Sequence, residues 1–122
     1  MIDKNDLHRI HLLFNTCAPL FIALGDEVRQ KLILDIADSI ADNGEDGINV
    51  TNLSAKSKLS RPAISHHLKV LKDCGLVKPV KKGTQIFYQL TLDKSLGEAA
   101  DLVQSILKVI AQIKGKTEEE GE

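Results

Sequence analysis

At 122 residues with 43% hydrophobic side chains, the chain carries enough apolar mass for one core and too little for two of comfortable size. Aromatics are only 3% and Trp is absent, which leaves the core to Leu, Ile, Val and Ala and excludes an array of aromatic platforms for stacking single-stranded bases. The formal net charge of −1 excludes a uniformly basic or acidic binder, so any electrostatic role must come from the way charge is distributed along the chain.

Leu7, Ile10, Leu13 and Phe14 mark a first helix from about residue 6 to 16, with a face that can extend through Cys17. Pro19 is expected to break it, and Leu20, Phe21, Ala23 and Leu24 to form a short second helix ending at Gly25. Asp26 can cap a third, in which Val28, Leu32, Ile33, Ile36, Ala37 and Ile40 make a wide apolar stripe with Arg29 and Lys31 outside it. Residues 42–47 form an acidic, Gly-containing loop too irregular for a calcium-binding pattern. Ile48 is expected as a one-residue bridge to a sheet, with Asn49 capping a short helix that runs to about Ser57.

Ser60 then opens the most informative stretch. It can cap a helix with Pro62 in its first turn and Gly75 past its end. Ile64, Leu68 and Leu71 fall at i, i+4 and i+7 and face a core, while Ser65, His66, Lys69 and Asp73 lie opposite, flanked by Arg61 and Lys72. Two short helices separated by a tight turn are the helix-turn-helix arrangement. Residues 76–81 and 85–90, joined through Lys82-Gly83-Thr84, read as a β-hairpin wing, with Pro79 placing the first strand at a free edge. Ser95-Leu96-Gly97-Glu98 has capping-box form, and Leu96, Ala99, Ala100, Val103, Ile106, Leu107, Ile110 and Ile113 follow at helical spacing. A terminal helix this apolar needs a partner surface, and pairing with the first helix of a second copy would cover both stripes. The fold expected is mainly α with a small β-hairpin wing, a winged helix-turn-helix in the order α-α-α-α-α(recognition)-β-β-α. It occupies 1–115 as one DNA-binding and dimerisation domain, with 116–122 an acidic disordered tail.

Charge is sorted by segment. Between Ala55 and Leu90, eight basic residues (Lys56, Lys58, Arg61, Lys69, Lys72, Lys78, Lys81, Lys82) face one acid, Asp73; between Asp26 and Ser54, seven acids face Arg29 and Lys31. A merely solvated surface does not explain such sorting, and a positive stretch coinciding with a helix and a hairpin is the footprint of phosphate binding.

Other constellations carry little chemistry. His8 and His11 are three apart on the first helix, two ligands where a metal needs more. His66 and His67 are adjacent and expected to point apart, His67 packing at the edge of the apolar stripe. Cys17 and Cys74 make neither a disulfide framework nor a metal-finger spacing and read as buried small residues rather than a redox switch. No carboxylate pair, nucleophile with base, or phosphate-cradling glycine loop stands out, so no enzyme and no cofactor are expected. The N-terminus lacks a signal-peptide pattern, and no apolar stretch is expected to approach membrane-spanning length, which places the protein in the cytoplasm with no membrane partner.

Leu24-Gly25-Asp26-Glu27-Val28-Arg29, the run from Ser60 to Leu71, Cys74-Gly75-Leu76-Val77, and Gly83 with Phe87-Tyr88-Gln89-Leu90 together resemble the ArsR/SmtB family of winged-helix repressors. The resemblance implies a homodimer, held by its first and last helices, that binds double-stranded DNA at an inverted-repeat operator until an inducer lowers its affinity. Carried over by position, Arg61, Ser65 and His66 would read base edges, Ser60 and Lys69 lie near phosphates, and Lys81, Lys82 and Thr84 form the wing tip. The family's usual metal positions do not match: Val50-Thr51-Asn52-Leu53-Ser54 contains no thiolate, and 93–114 contains no His or Cys, so no metal is expected there. The competing reading is a winged-helix protein-interaction module whose basic face takes an acidic partner.

Overall fold

A computed structural model describes residues 2–44 and 46–121, side chains from 116 onward excepted; the expected acidic tail at 116–122 falls outside the side chains so described. Five helices and a small sheet follow in the order α1 (Lys4–Leu24), α2 (Glu27–Asn43), β1 (Ile48–Asn49), α3 (Val50–Ser57), α4 (Arg61–Asp73), β2 (Val77–Lys82), β3 (Gln85–Leu90) and α5 (Asp93–Gly121). The fold is mostly helical with a three-stranded antiparallel sheet, a winged helix-turn-helix.

The main departure from the expected order is at Pro19, which lies inside α1 rather than between two helices. A proline within a helix forfeits one backbone hydrogen bond, yet Cys17, Leu20 and Ala23 are all buried. Continuing the helix through Pro19 carries Leu20 and Ala23 to buried positions beyond it, which offsets the local loss. The merger also overturns a second expectation. As one 21-residue helix, Lys4–Leu24 is long and apolar enough to cross a membrane by length and composition alone.

The backbone clusters into two compact units, residues 19–92 and residues 1–18 with 93–122. In the first, Asp26 caps α2 by accepting from the backbone N–H groups of Arg29 (3.2 Å) and Val28 (2.8 Å), and these bonds, that from Arg29 foremost, lower its pKa. Asn49 caps α3 through Asn52 N–H at 2.8 Å, and Ser60 caps α4 through Ala63 N–H at 3.3 Å. The core of this unit is aliphatic: Leu32 and Ile36 of α2, Leu53 of α3, and Ile64, Leu68 and Leu71 of α4 are buried. Gly75 closes α4 at φ 78°, its N–H bonding Lys72 O while Leu76 N–H bonds Leu71 O, both at 2.9 Å. This Schellman closure puts Leu76 against the same core and launches β2.

The strand order is β1-β3-β2, with Ile48 opposite Tyr88 and Pro79 also opposite Tyr88 from the other side. Pro79 therefore sits on an edge strand, as its missing donor requires. The bridge expected at Ile48 is a two-residue strand. Gly47 (φ 84°) must be glycine, since a Cβ there would lie 2.1 Å from Tyr88 O.

In the second unit, the start of α1 and the end of α5 run antiparallel. Asp6 accepts from Gln112 Nε2 at 2.8 Å and Lys108 Nζ at 3.2 Å, and these bonds depress its pKa. α5 begins at Asp93, two residues ahead of the expected Ser95 cap. Cys17, Leu102 and Val109 are buried, while Leu7, Leu12, Leu96, Val103, Leu107 and Ile110 stay exposed, Leu107 at 58%.

Candidate DNA-binding site

Every residue expected to touch DNA is exposed: Ser60, Arg61, Ser65, His66 and Lys69 on or beside α4, and Lys81, Lys82 and Thr84 at the wing. The inward stripe of α4 fixes this. With Ile64, Leu68 and Leu71 anchored, helical geometry leaves Ser65, His66 and Lys69 on the outer side. The two ends of this surface meet in a cleft of about 270 Å³ lined by Asn49, Thr51, Arg61, Thr84 and Gln85 among others. It joins the first turns of α3 and α4 to the wing.

Within the cleft the Arg61 guanidinium donates to Thr51 Oγ1 at 2.6 Å, and Asn49 Nδ2 donates to Gln85 Oε1 at 3.1 Å. Arg61 is thus held by α3 before any ligand arrives. Thr51, Asn49 and Gln85 escaped the sequence reading because their relation to Arg61 is tertiary; the only sequence signal was the cap at Asn49.

Lys82 is also engaged, pairing with Asp46 and lying 5.9 Å from the centre of the Phe87 ring. The acidic loop, read from sequence only as too irregular to bind calcium, therefore reaches the wing. Lys69 and Lys81 make no ion pair among the described residues and stand as open cations.

The two histidines do not point apart. Their ring centroids are 5.3 Å apart at 61° in an edge-to-face arrangement, and Arg29 Nη1 lies 3.4 Å from Nδ1 of the half-buried His67. Arg29, read from sequence as lying outside the α2 stripe, has a side chain only 12% exposed.

Cys17 is buried, and burial, followed by the charges of Glu98 and Asp101, pushes its thiol up; such a sulfur is a poor nucleophile. Cys74 is half-buried at the end of α4. Among the described residues no group of three His, Cys, Asp or Glu side chains is placed to hold a metal.

A capped helix with an aliphatic inner stripe, a polar and cationic outer face, a preceding short helix and a flanking hairpin define a winged helix-turn-helix DNA-binding protein. Residues 45–78 match the family described as bacterial regulatory protein, arsR family. The chain is 33% identical over 100 residues to the uncharacterized HTH-type transcriptional regulator MJ1325 of Methanocaldococcus jannaschii, covering 82% of this chain and 97% of that one. It is 34% identical over 90 residues to the HTH-type transcriptional regulator CmtR of Mycobacterium tuberculosis, covering 71% and 68% respectively; a solved structure of CmtR is described as a cadmium metal-sensor. An ArsR-like transcriptional regulator from Rhodococcus sp. RHA1 superposes with a TM-score of 0.72 at 28% identity, covering 89% of this chain and 95% of that one. The chain belongs to the ArsR family of DNA-binding transcriptional regulators.

Proposed function

We propose that the protein is a homodimeric repressor that places α4 of each copy in successive major grooves of an inverted-repeat operator. The observation that carries this reading is the exposed outer face of α4, continuous in sequence and charge with the wing. Arg61 suits a bidentate contact to guanine O6 and N7, Ser65 and His66 suit base edges, and Ser60, Lys69, Lys81, Lys82 and Thr84 suit phosphates. Dimerisation is supported by the apolar stripes left uncovered on α1 and α5, including Leu12, Val103 and Leu107, since exposed patches of this kind mark interaction surfaces. Two copies related by a dyad would present two recognition helices to two half-sites. Cover of the operator by the dimer would obstruct transcription, and the site of action is the cytoplasm, where the DNA is.

The signal that releases the DNA is proposed to be other than a metal at the family's usual positions. α3 offers no thiolate and residues 93–114 no imidazole or thiolate, the donor types such sites need.

Selection of bound duplexes from a random pool by the full chain tests the reading. The expected result is a palindromic consensus with half-site centres about 10 base pairs apart. Recovery of no common sequence would refute it and favour an acidic protein partner for the same face.

A further inference from the structure

We propose that Arg29 is a positioning residue for DNA reading: it holds His67 of α4, and the His67 ring in turn sets the orientation of the His66 ring on the outer face. The inference rests on the reading of α4 as the groove-entering helix and adds to it a residue on α2 that would not touch DNA.

The geometry starts from the end of α1. The last carbonyls of a helix have no intrahelical donor, and Arg29 supplies two, Nε to Ala23 O at 2.9 Å and Nη2 to Ile22 O at 3.0 Å. Its Nη1 is left for the Asp26 carboxylate at 3.5 Å and His67 Nδ1 at 3.4 Å. A planar fork with five donors can satisfy these directions together, which an ammonium cannot. If capping the α1 carbonyls were the whole role of Arg29, nothing would require the remaining nitrogen to meet a side chain of α4.

The proposal also makes a demand on the His67 ring proton. A guanidinium only donates, so a hydrogen bond from Arg29 requires Nδ1 of His67 as its acceptor, and the proposal therefore requires the Nε2–H tautomer. His67 is half-buried while His66 is exposed. An exposed imidazole otherwise samples several rotamers, and fixing it on binding costs entropy. The edge-to-face contact with a ring that is itself held narrows that choice in advance, as reading a base edge demands.

The test uses the full chain, imidazole nitrogen NMR on the free protein, and affinities for the duplex recovered by selection and for a scrambled duplex of the same length. In the wild type His67 should be the Nε2–H tautomer; in Arg29→Gln that tautomer should lose its dominance and the His66 signals should move. Arg29→Gln and His67→Phe should each lower the ratio of selected to scrambled affinity by about tenfold, the scale of one well-placed base contact, and the double variant should lower it no further. A ratio and His66 signals unchanged in a normally melting Arg29→Gln protein would overturn the proposal, as would additive losses. Should Arg29→Gln fail to fold, His67→Phe decides alone, because it leaves the α1 carbonyl bonds intact. An unchanged ratio in His66→Ala removes the premise and the inference with it, while a pool that yields no common site removes the DNA reading itself.

Discussion

Replacing Lys82 by Ala gives a result whose size follows from the structure. Lys82 stands at the wing, exposed and paired with Asp46, and in a dimer two copies of it would meet the duplex. Each phosphate neutralised contributes about −0.9 to the slope of log K against log[salt], so losing two should flatten that slope by about 1.8. Between 50 and 200 mM salt this makes the salt-induced loss of affinity about 12-fold smaller in the variant than in the wild type. Because phosphate contacts carry no sequence information, selected and scrambled duplexes should show the same change. Asp46→Asn should act in the opposite direction. It frees Lys82 from an exposed pair worth no more than about 1 kcal/mol, so binding to every duplex should strengthen modestly. Fluorescence anisotropy across a salt series measures both. An unchanged slope in the Lys82 variant, or a change confined to the selected duplex, would refute the assignment of Lys82 as a phosphate clamp. A change of about 0.9 would instead mean one Lys82 per bound complex.

Three further outcomes are expected. Leu107→Glu alters a side chain that is 58% exposed, so the fold should survive while sedimentation equilibrium shows a shift from dimer to monomer; an unmoved equilibrium would take Leu107 out of the interface. Leu68→Ala empties a fully packed position behind the outer face of α4 and should cost about 2–5 kcal/mol by urea denaturation. Asp26 and Asp6 both have lowered pKa values when folded, so their stabilisation is present above the unfolded carboxylate value near pH 4 and is lost as pH falls through the lower folded values. Urea midpoints measured downward from pH 5 should therefore decline in the wild type and decline less in Asp26→Asn, where the carboxylate contribution is absent; parallel curves would contradict it.

Much of the fold was legible because its signals are local. Asp26, Asn49 and Ser60 announce three helix starts by their own side-chain chemistry, and Gly75 announces the end of α4 by the positive φ its position requires. The stripe of Ile64, Leu68 and Leu71 fixed which side of α4 faces out, and with it the exposure of Ser65, His66 and Lys69, because helical periodicity leaves no freedom in that choice.

Tertiary structure decided what local rules could not rank. Pro19 is a helix breaker by propensity, but α1 continues through it, and the burial of Leu20 and Ala23 beyond it offsets one lost hydrogen bond. The partners of Arg61, Lys82 and Arg29 lie 10, 36 and 38 residues away in sequence. Charge and hydrogen-bonding capacity are written in the residue types, whereas the donor that meets a given acceptor is set only when packed helices and a sheet bring them within about 3 Å.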